Sequence, residues 1–329
     1  MKRIFPLLLC ALILFSGCGS APESSSRPSE PEPSAESSRP VSSVAETTIY
    51  MTDSDGNSLE FNELPDRVVS LYGSYAEAWM LAGGTLAGCT EDAVKERKLD
   101  LPESVSIVGT VKEPNAEEII ALDPGLVLLS SDITAQTELR ATLENAAIPC
   151  LSFRVDTFED YDYMMQQFTA LTGRTDLYEE NVAGPRARIE EIKTKAGEAE
   201  GEPSVLLIRA FSSGIKAKTD DELAGVILKE LGCRNIADEH PSMLEDLSME
   251  EVISQNPDYL FVTTMGNEQK ALDYLDSLIA ASPAWSELDA VKSGRYVILP
   301  KDLFHYKPNN RWDESYEYLA KILYPELFA

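Results

Sequence analysis

The sequence predicts an α/β protein built from two similar lobes, each a parallel sheet covered by helices, joined by a single long linker helix. Three observations carry that prediction. From Thr47 onward, short apolar runs alternate with amphipathic stretches, the pattern of strands crossed over by helices. A ten-residue motif recurs once, displaced by 133 residues. The stretch between the two copies is dominated by helix formers.

Lys2 and Arg3 form a short basic head before the apolar run 4–15. Twelve residues are too few to span a bilayer as a stable helix but suit the apolar core of a secretory signal. The run ends in Phe15-Ser16-Gly17-Cys18, two small residues before a cysteine, which resembles a lipobox with Phe where Leu is usual. Residues 1–17 are therefore expected to be removed as a lipoprotein signal peptide and Cys18 to be acylated. The alternative is an ordinary signal peptide with an incidental cysteine. Residues 18–45 follow as a tether, since 19–45 hold ten Ser, five Pro and no aromatic residue. Such a segment cannot bury enough apolar surface to offset its ordering entropy.

The first lobe is expected over 46–156, with strands at 68–71, 106–108, 126–129 and 151–155 and helices at 74–81, 116–122 and 136–146. The second, over 201–329, has strands at 205–208, 259–262 and 296–299 and helices at 223–231, 249–254 and 268–279. The recurring motif runs Asn115-Ala116-Glu117-Glu118-Ile119-Ile120-Ala121-Leu122-Asp123-Pro124, and again Ser248-Met249-Glu250-Glu251-Val252-Ile253-Ser254-Gln255-Asn256-Pro257. In each copy a polar cap precedes two acids in the first turn, and a proline stops the helix before a buried strand. One copy per half, each with the same strand after it, reads as two Rossmann-like lobes of like architecture.

Linker helices are expected over 157–200, a first at 160–171 ended by Gly173 and a second at 175–196, about 33 Å long at the α-helical rise. Gly184-Pro185 predicts a kink or break in it, because proline removes one rung and clashes with the preceding turn. A helical connection of this kind predicts stiff, limited lobe motion.

Composition narrows the function. With 56 acidic against 28 basic residues the net charge is −28, and no Lys/Arg block offsets it, so nucleic-acid binding is excluded. Five cysteines with no CxxC give neither a zinc ribbon nor a disulfide framework; Cys89, Cys150 and Cys233 read as buried thiols. There is no GxSxG, HExxH or phosphate-binding loop, so an enzyme is not expected and no cofactor is implied.

Ligands of open α/β sheets sit beyond the carboxyl ends of the strands, which for two lobes means the groove between them. The first lobe then offers Tyr72, Ser74 and Tyr75, with Gly73 allowing close backbone approach, followed by Lys112 and Ser131. Ser74 also fits a helix cap, and Trp79, one turn beyond Tyr75, fits the core. The second lobe offers Arg209 and Phe211, then His305, Tyr306 and Arg311 from the aromatic and cationic segment 303–312. Cations beside ring faces suit a carboxylate-bearing macrocycle or an anionic iron chelate. Arg311 and Lys307 also read as solvated, and Trp312 and Tyr316 as core. His305 is a possible metal ligand or a packed residue. With only two histidines, capture of a bare metal ion is disfavoured.

The order Arg67-Val68-Val69-Ser70-Leu71, Gly88, Val108-Gly109, Pro114-Asn115-Ala116-Glu117 and Ala121-Leu122-Asp123-Pro124-Gly125-Leu126-Val127 resembles the helix-linked substrate-binding proteins of ABC importers. This is the group that handles ferric siderophores, haem and cobalamin, and the resemblance runs from about residue 48 to the end. The ending Lys307-Pro308-Asn309-Asn310-Arg311-Trp312 is similar to a lipoprotein subgroup of Gram-positive bacteria. The resemblance implies a monomer, lipid-anchored on the extracytoplasmic face of the membrane, that passes an iron chelate, haem or cobalamin to a permease dimer driven by a cytoplasmic ATPase. In the family one glutamate per lobe docks into arginine pockets of the permease, and these positions match Glu117 and Glu250. The alternatives are a sensor or adhesin lipoprotein of the same fold and, further off, an enzyme on the scaffold.

Overall fold

The computed structural model describes residues 48–328 apart from Asp246, Ser248 and Ser282. The expected signal peptide, the tether, Cys18 and the Ser248 cap lie outside the described residues. The described residues open with an antiparallel hairpin, β1 (Ile49–Thr52) and β2 (Ser58–Phe61), which the periodicity of the sequence did not reveal. Its turn is organised by Asp53, whose carboxylate accepts the Asn57 and Ser152 backbone N–H groups and pairs with Arg140 at 3.0 Å. Burial alone would raise the Asp53 carboxyl, but these partners more than offset it and hold it below its ordinary value.

The first lobe's sheet contains β3 (Val68–Ser70), β4 (Gly88–Cys89), β5 (Ser106–Ile107), β6 (Leu126–Ser130) and β7 (Cys150–Phe153). All pairs are parallel, in the order β5-β4-β3-β6-β7. The second sheet contains β8 (Ser204–Phe211), β9 (Gly214–Lys218), β10 (Arg234–Asn235), β11 (Tyr259–Thr264) and β12 (Tyr296–Ile298). Here β10-β8-β11-β12 run parallel, as expected, but β9 is antiparallel to β8. The difference arises because β8 runs three residues beyond the expected strand and folds back through Ser212-Ser213, a two-residue hairpin loop.

The repeat is reproduced in the backbone. Helices Ala116–Ala121 and Met249–Gln255 each lead into the strand beside the lobe's first one, pairing Val68 with Leu126 and Val205 with Tyr259. Asn115 caps the first helix, accepting from the N–H groups of Glu117 and Glu118. Asp123 and Asn256, each just before the proline, are both left-handed, with φ of 47° and 41°. Asn and Asp are the side-chain-bearing residues that enter this region most readily.

Between the lobes, helix Phe158–Thr172 starts with a Thr157/Asp160 capping box and ends at left-handed Gly173. The second linker helix is interrupted near the expected point. Thr175–Tyr178 passes into a π segment, Glu179–Ala183, and then into Gly184–Ala196, so the ladder widens where Pro185 has no N–H to give. The linker is fused to both lobes by one apolar core. That core joins Trp79 and Phe153 of the first lobe, Phe158, Phe168 and Ile189 of the linker, and Leu207, Trp312 and Tyr316 of the second. The closing helix Trp312–Leu323 packs along Gly184–Ala196 and is tied to it by Arg188–Glu317 at 3.1 Å.

Candidate functional site

The carboxyl ends of both sheets face a cavity of about 850 Å³ between the lobes. From the first lobe its wall takes Tyr72, after β3; Asp92 and Glu96, after β4; Val111 and Lys112, after β5; and 132–135, after β6. The second lobe supplies Phe211-Ser212-Ser213 at the β8 hairpin, Met265-Gly266-Asn267 after β11, and Lys301, His305 and Tyr306 after β12. Each contribution comes from the residues that follow a strand, which is where an open α/β sheet binds its ligand.

Of the residues predicted for the groove, Tyr72, Lys112, Phe211, His305 and Tyr306 line this cavity. Tyr75 does not: it is fully buried beneath Tyr72, edge-on to it at 5.0 Å, and its hydroxyl donates to the Phe153 carbonyl at 2.9 Å. A helix residue three positions after the strand-end tyrosine turns inward, not outward. Ser74 is buried inside helix Gly73–Leu81 and does not cap it. Asp92 takes that part from the neighbouring segment, accepting the Gly73 N–H at 2.6 Å and the Thr90 hydroxyl at 2.6 Å. Gly73 is required by this approach and not by a ligand, since a Cβ there would lie 2.8 Å from Asp92 Oδ2 and 2.7 Å from the Ala93 nitrogen. Ser131 follows β6 behind the wall with a buried Oγ.

The arginines are committed elsewhere. Arg209 is tied to buried Glu222 at 2.5 Å, and Arg311 to Glu314 at 2.7 Å and Asp302 at 3.0 Å. Arg154 bonds Asp156 at 2.6 Å and stands 3.4 Å from Asp132. Lys307 reaches across from the second lobe to Asp156 at 3.0 Å. Burial would raise the Asp156 carboxyl, but Lys307 and Arg154 hold it below its usual range. Asp132 goes the other way, raised by burial and then by Asp156.

His305 is held neutral by its surroundings. Burial, followed by the charges of Arg209, Lys301 and Lys307, pushes its pKa down to about 3, so the imidazole is neutral at physiological pH. Its Nδ1 is buried without a hydrogen-bond partner among the described residues. Lys301 donates to the Gly266 carbonyl at 2.9 Å and stands 5.3 Å above the Tyr306 ring. Burial raises the Tyr306 phenol, helped by the neighbouring Glu96 carboxylate. Among the described residues no group of three His, Cys, Asp or Glu is placed to hold a bare metal ion.

Sequence reasoning missed Asp92, Glu96 and Lys301 in the wall, because the strands or helices that present them are only two to four residues long. It also missed Asn309. This buried residue, left-handed at φ 56°, reaches from the second lobe's closing segment to the first lobe's helix Gly73–Leu81. Its amide donates to the Ser74 carbonyl at 2.9 Å and to Glu77 at 2.5 Å. The Asn309-Asn310 pair was the available signal, since asparagine enters the left-handed region readily.

Two lobes built on parallel strands, a helical link and a cavity walled by both lobes define a ligand-binding clamp. The chain belongs to the periplasmic binding protein family, whose model matches residues 68–303. It is 27% identical over 305 residues to the Fe(3+)-citrate-binding protein YfmC of Bacillus subtilis, covering 91% of this chain and 89% of that one. It is 24% identical over 335 residues to the iron(3+)-hydroxamate-binding protein FhuD of the same organism, covering 97% and 96%. It shares its fold with Staphylococcus aureus SirA, solved in complex with staphyloferrin B, at a TM-score of 0.65, 21% identity and coverage of 85% of this chain and 98% of that one.

Proposed function

We propose that this protein is the extracytoplasmic receptor of an ABC importer that captures an iron chelate, a siderophore complex or haem, with cobalamin as the further candidate, and delivers it to a membrane permease. The observation that carries the reading is the inter-lobe cavity of about 850 Å³, walled by Tyr72, Phe211 and Tyr306 with His305, Lys112 and Lys301 among them. Rings and a few placed polar groups are what a bulky, partly apolar chelate requires. The volume lies within the usual range for small-molecule sites, about 300–1,000 Å³. The relatives named for binding ferric citrate and ferric hydroxamates support the same ligand class.

Delivery rests on Glu117 and Glu250. Both are exposed, in the first turn of corresponding helices. Each helix returns the chain between parallel strands, so it begins at the carboxyl end of its sheet, on the side where the cavity opens. Two carboxylates so placed, one per lobe, suit bidentate pairing with arginines of a two-fold permease driven by a cytoplasmic ATPase. Attachment through an acylated Cys18 and the 18–45 tether would keep the receptor at the membrane surface.

The test is a titration of the purified 46–329 unit with ferric siderophores, haem and cobalamin, followed by absorbance and tryptophan fluorescence. Trp312 belongs to the same core as the cavity-lining segment, so occupancy should change its emission. Saturable binding of at least one compound is expected, and no response to any of them would overturn the ligand class.

A further inference from the structure

The charges of the cavity allow the ligand to be narrowed, on the premise that the site takes an iron chelate. Its lining holds three carboxylates, Asp92, Glu96 and Asp132, against two ammonium groups, Lys112 and Lys301. Among the described residues no arginine lines it. The nearby guanidinium groups are paired with acids: Arg97 with Glu77, Arg154 with Asp156, Arg209 with Glu222, and Arg311 with Asp302 and Glu314. Behind the wall, Lys307 shares Asp156 with Arg154, and Arg154 also lies 3.4 Å from the lining carboxylate of Asp132, so these two cations balance these two acids. His305 adds no charge, because burial and its cationic neighbours keep it neutral.

A polyanionic chelate would therefore meet only two lysines without a carboxylate partner among the described residues, opposite Glu96 and Asp92, lining carboxylates that no described Lys or Arg pairs. It would also approach a chain whose net charge is −28. Repulsion of this kind lowers both the encounter rate and the affinity. A ferric complex whose oxygens are already shared with the metal and whose total charge is zero or plus one meets no such penalty. Rings from Tyr72, Phe211 and Tyr306 can pack on its organic shell. An ammonium group on that shell would find Glu96, which is exposed at the cavity wall and next to Tyr306.

We infer that the cleft selects a neutral or monocationic ferric chelate of the hydroxamate type over a polycarboxylate anion, with Glu96 the residue that sets the preference. The experiment compares two probes, the ferric complex of desferrioxamine B, which carries one free ammonium, and ferric citrate, at low ionic strength and in high salt. At low salt the hydroxamate complex should bind at least about tenfold tighter, and the ratio should narrow as salt screens the exposed charges. Glu96→Gln should weaken the hydroxamate complex by about threefold and strengthen ferric citrate, opposite shifts that a loss of folding would not produce. Tighter binding of ferric citrate, or equal shifts of both probes in Glu96→Gln, overturns the charge preference and leaves the iron-chelate reading standing. Binding of neither probe, nor of haem or cobalamin, overturns that reading and this inference with it.

Discussion

The two lobes share a skeleton but not a wall. In both, a central pair of parallel strands, β3 with β6 and β8 with β11, is joined through a capped or acid-led helix and a left-handed residue before proline. The flanking strands correspond too, β7 with β12 and β4 with β10, while β5 and the antiparallel β9 have no counterpart. Beyond the strand ends the likeness stops. The first lobe presents Asp92, Glu96 and Asp132 to the cavity; the second presents Lys301, His305 and the β8 hairpin. The features the lobes share are those the sheet needs for folding, and the loops at its carboxyl edge differ because nothing in the sheet constrains them.

Two consequences separate shared features from unshared ones. If Glu117 and Glu250 are equivalent docking points, Glu117→Ala with Glu250→Ala should abolish chelate uptake by whole cells while leaving affinity within about twofold, because both side chains are exposed. Each single change should give an intermediate loss. A double variant that imports normally removes the docking role, and one single change as severe as the double breaks the equivalence.

The unshared feature with the largest expected effect on stability is Asn309, by which the second lobe's closing segment grips the first lobe. Asn309→Ala removes both amide hydrogen bonds and places a Cβ-bearing residue without local polar support at φ 56°. A loss of about 2–3 kcal/mol is expected in chemical denaturation. Asn309→Gly should recover only the backbone share. Unchanged stability in both would show that the Asn309 grip adds nothing to the linker core and the Lys307–Asp156 pair.

What the sequence disclosed follows from where the information lies. Buried strands such as Leu126–Ser130 and Tyr259–Thr264 are continuous apolar runs, and their helices carry caps and stops in adjacent residues. Local signals of this sort are legible. So was the position of the cleft, which follows from parallel topology once the strands are known. The individual wall residues were only half legible. Tyr72 and His305 line the cavity, but Tyr75, three residues from Tyr72, is in the core, a difference of helix rotation that composition does not encode. Arg209 and Arg311 looked available because their partners are invisible without the fold. Glu222 reaches Arg209 from the helix start after β9, and Asp302 lies nine residues from Arg311. Contacts between distant segments, Asp53 with Arg140 or Asn309 with Ser74, leave no periodic trace.

The smallest expected effect probes the duplicated backbone itself. Asp123 and Asn256 occupy matching left-handed positions, where a polar side chain offsets the clash of its own Cβ with the following carbonyl, so alanine at either keeps that strain, loses the polar support and should cost about 1–2 kcal/mol. Glycine should remove that part of the cost and expose what each side chain contributes beyond it. Asp123 pairs with Arg67 at 2.7 Å in a solvent-exposed site, a contact worth a few tenths of a kcal/mol. Asn256 is engaged twice, donating to the Asp289 carboxylate at 2.8 Å and accepting the Asp289 N–H at 3.1 Å, which pins the short helix Asp289–Lys292. Asn256→Gly should therefore remain about 1 kcal/mol less stable than Asp123→Gly by urea denaturation. Equal stabilities for the two glycine variants would mean that the second lobe's copy is held by its backbone alone, as the first lobe's is, and that the side-chain clasp adds nothing.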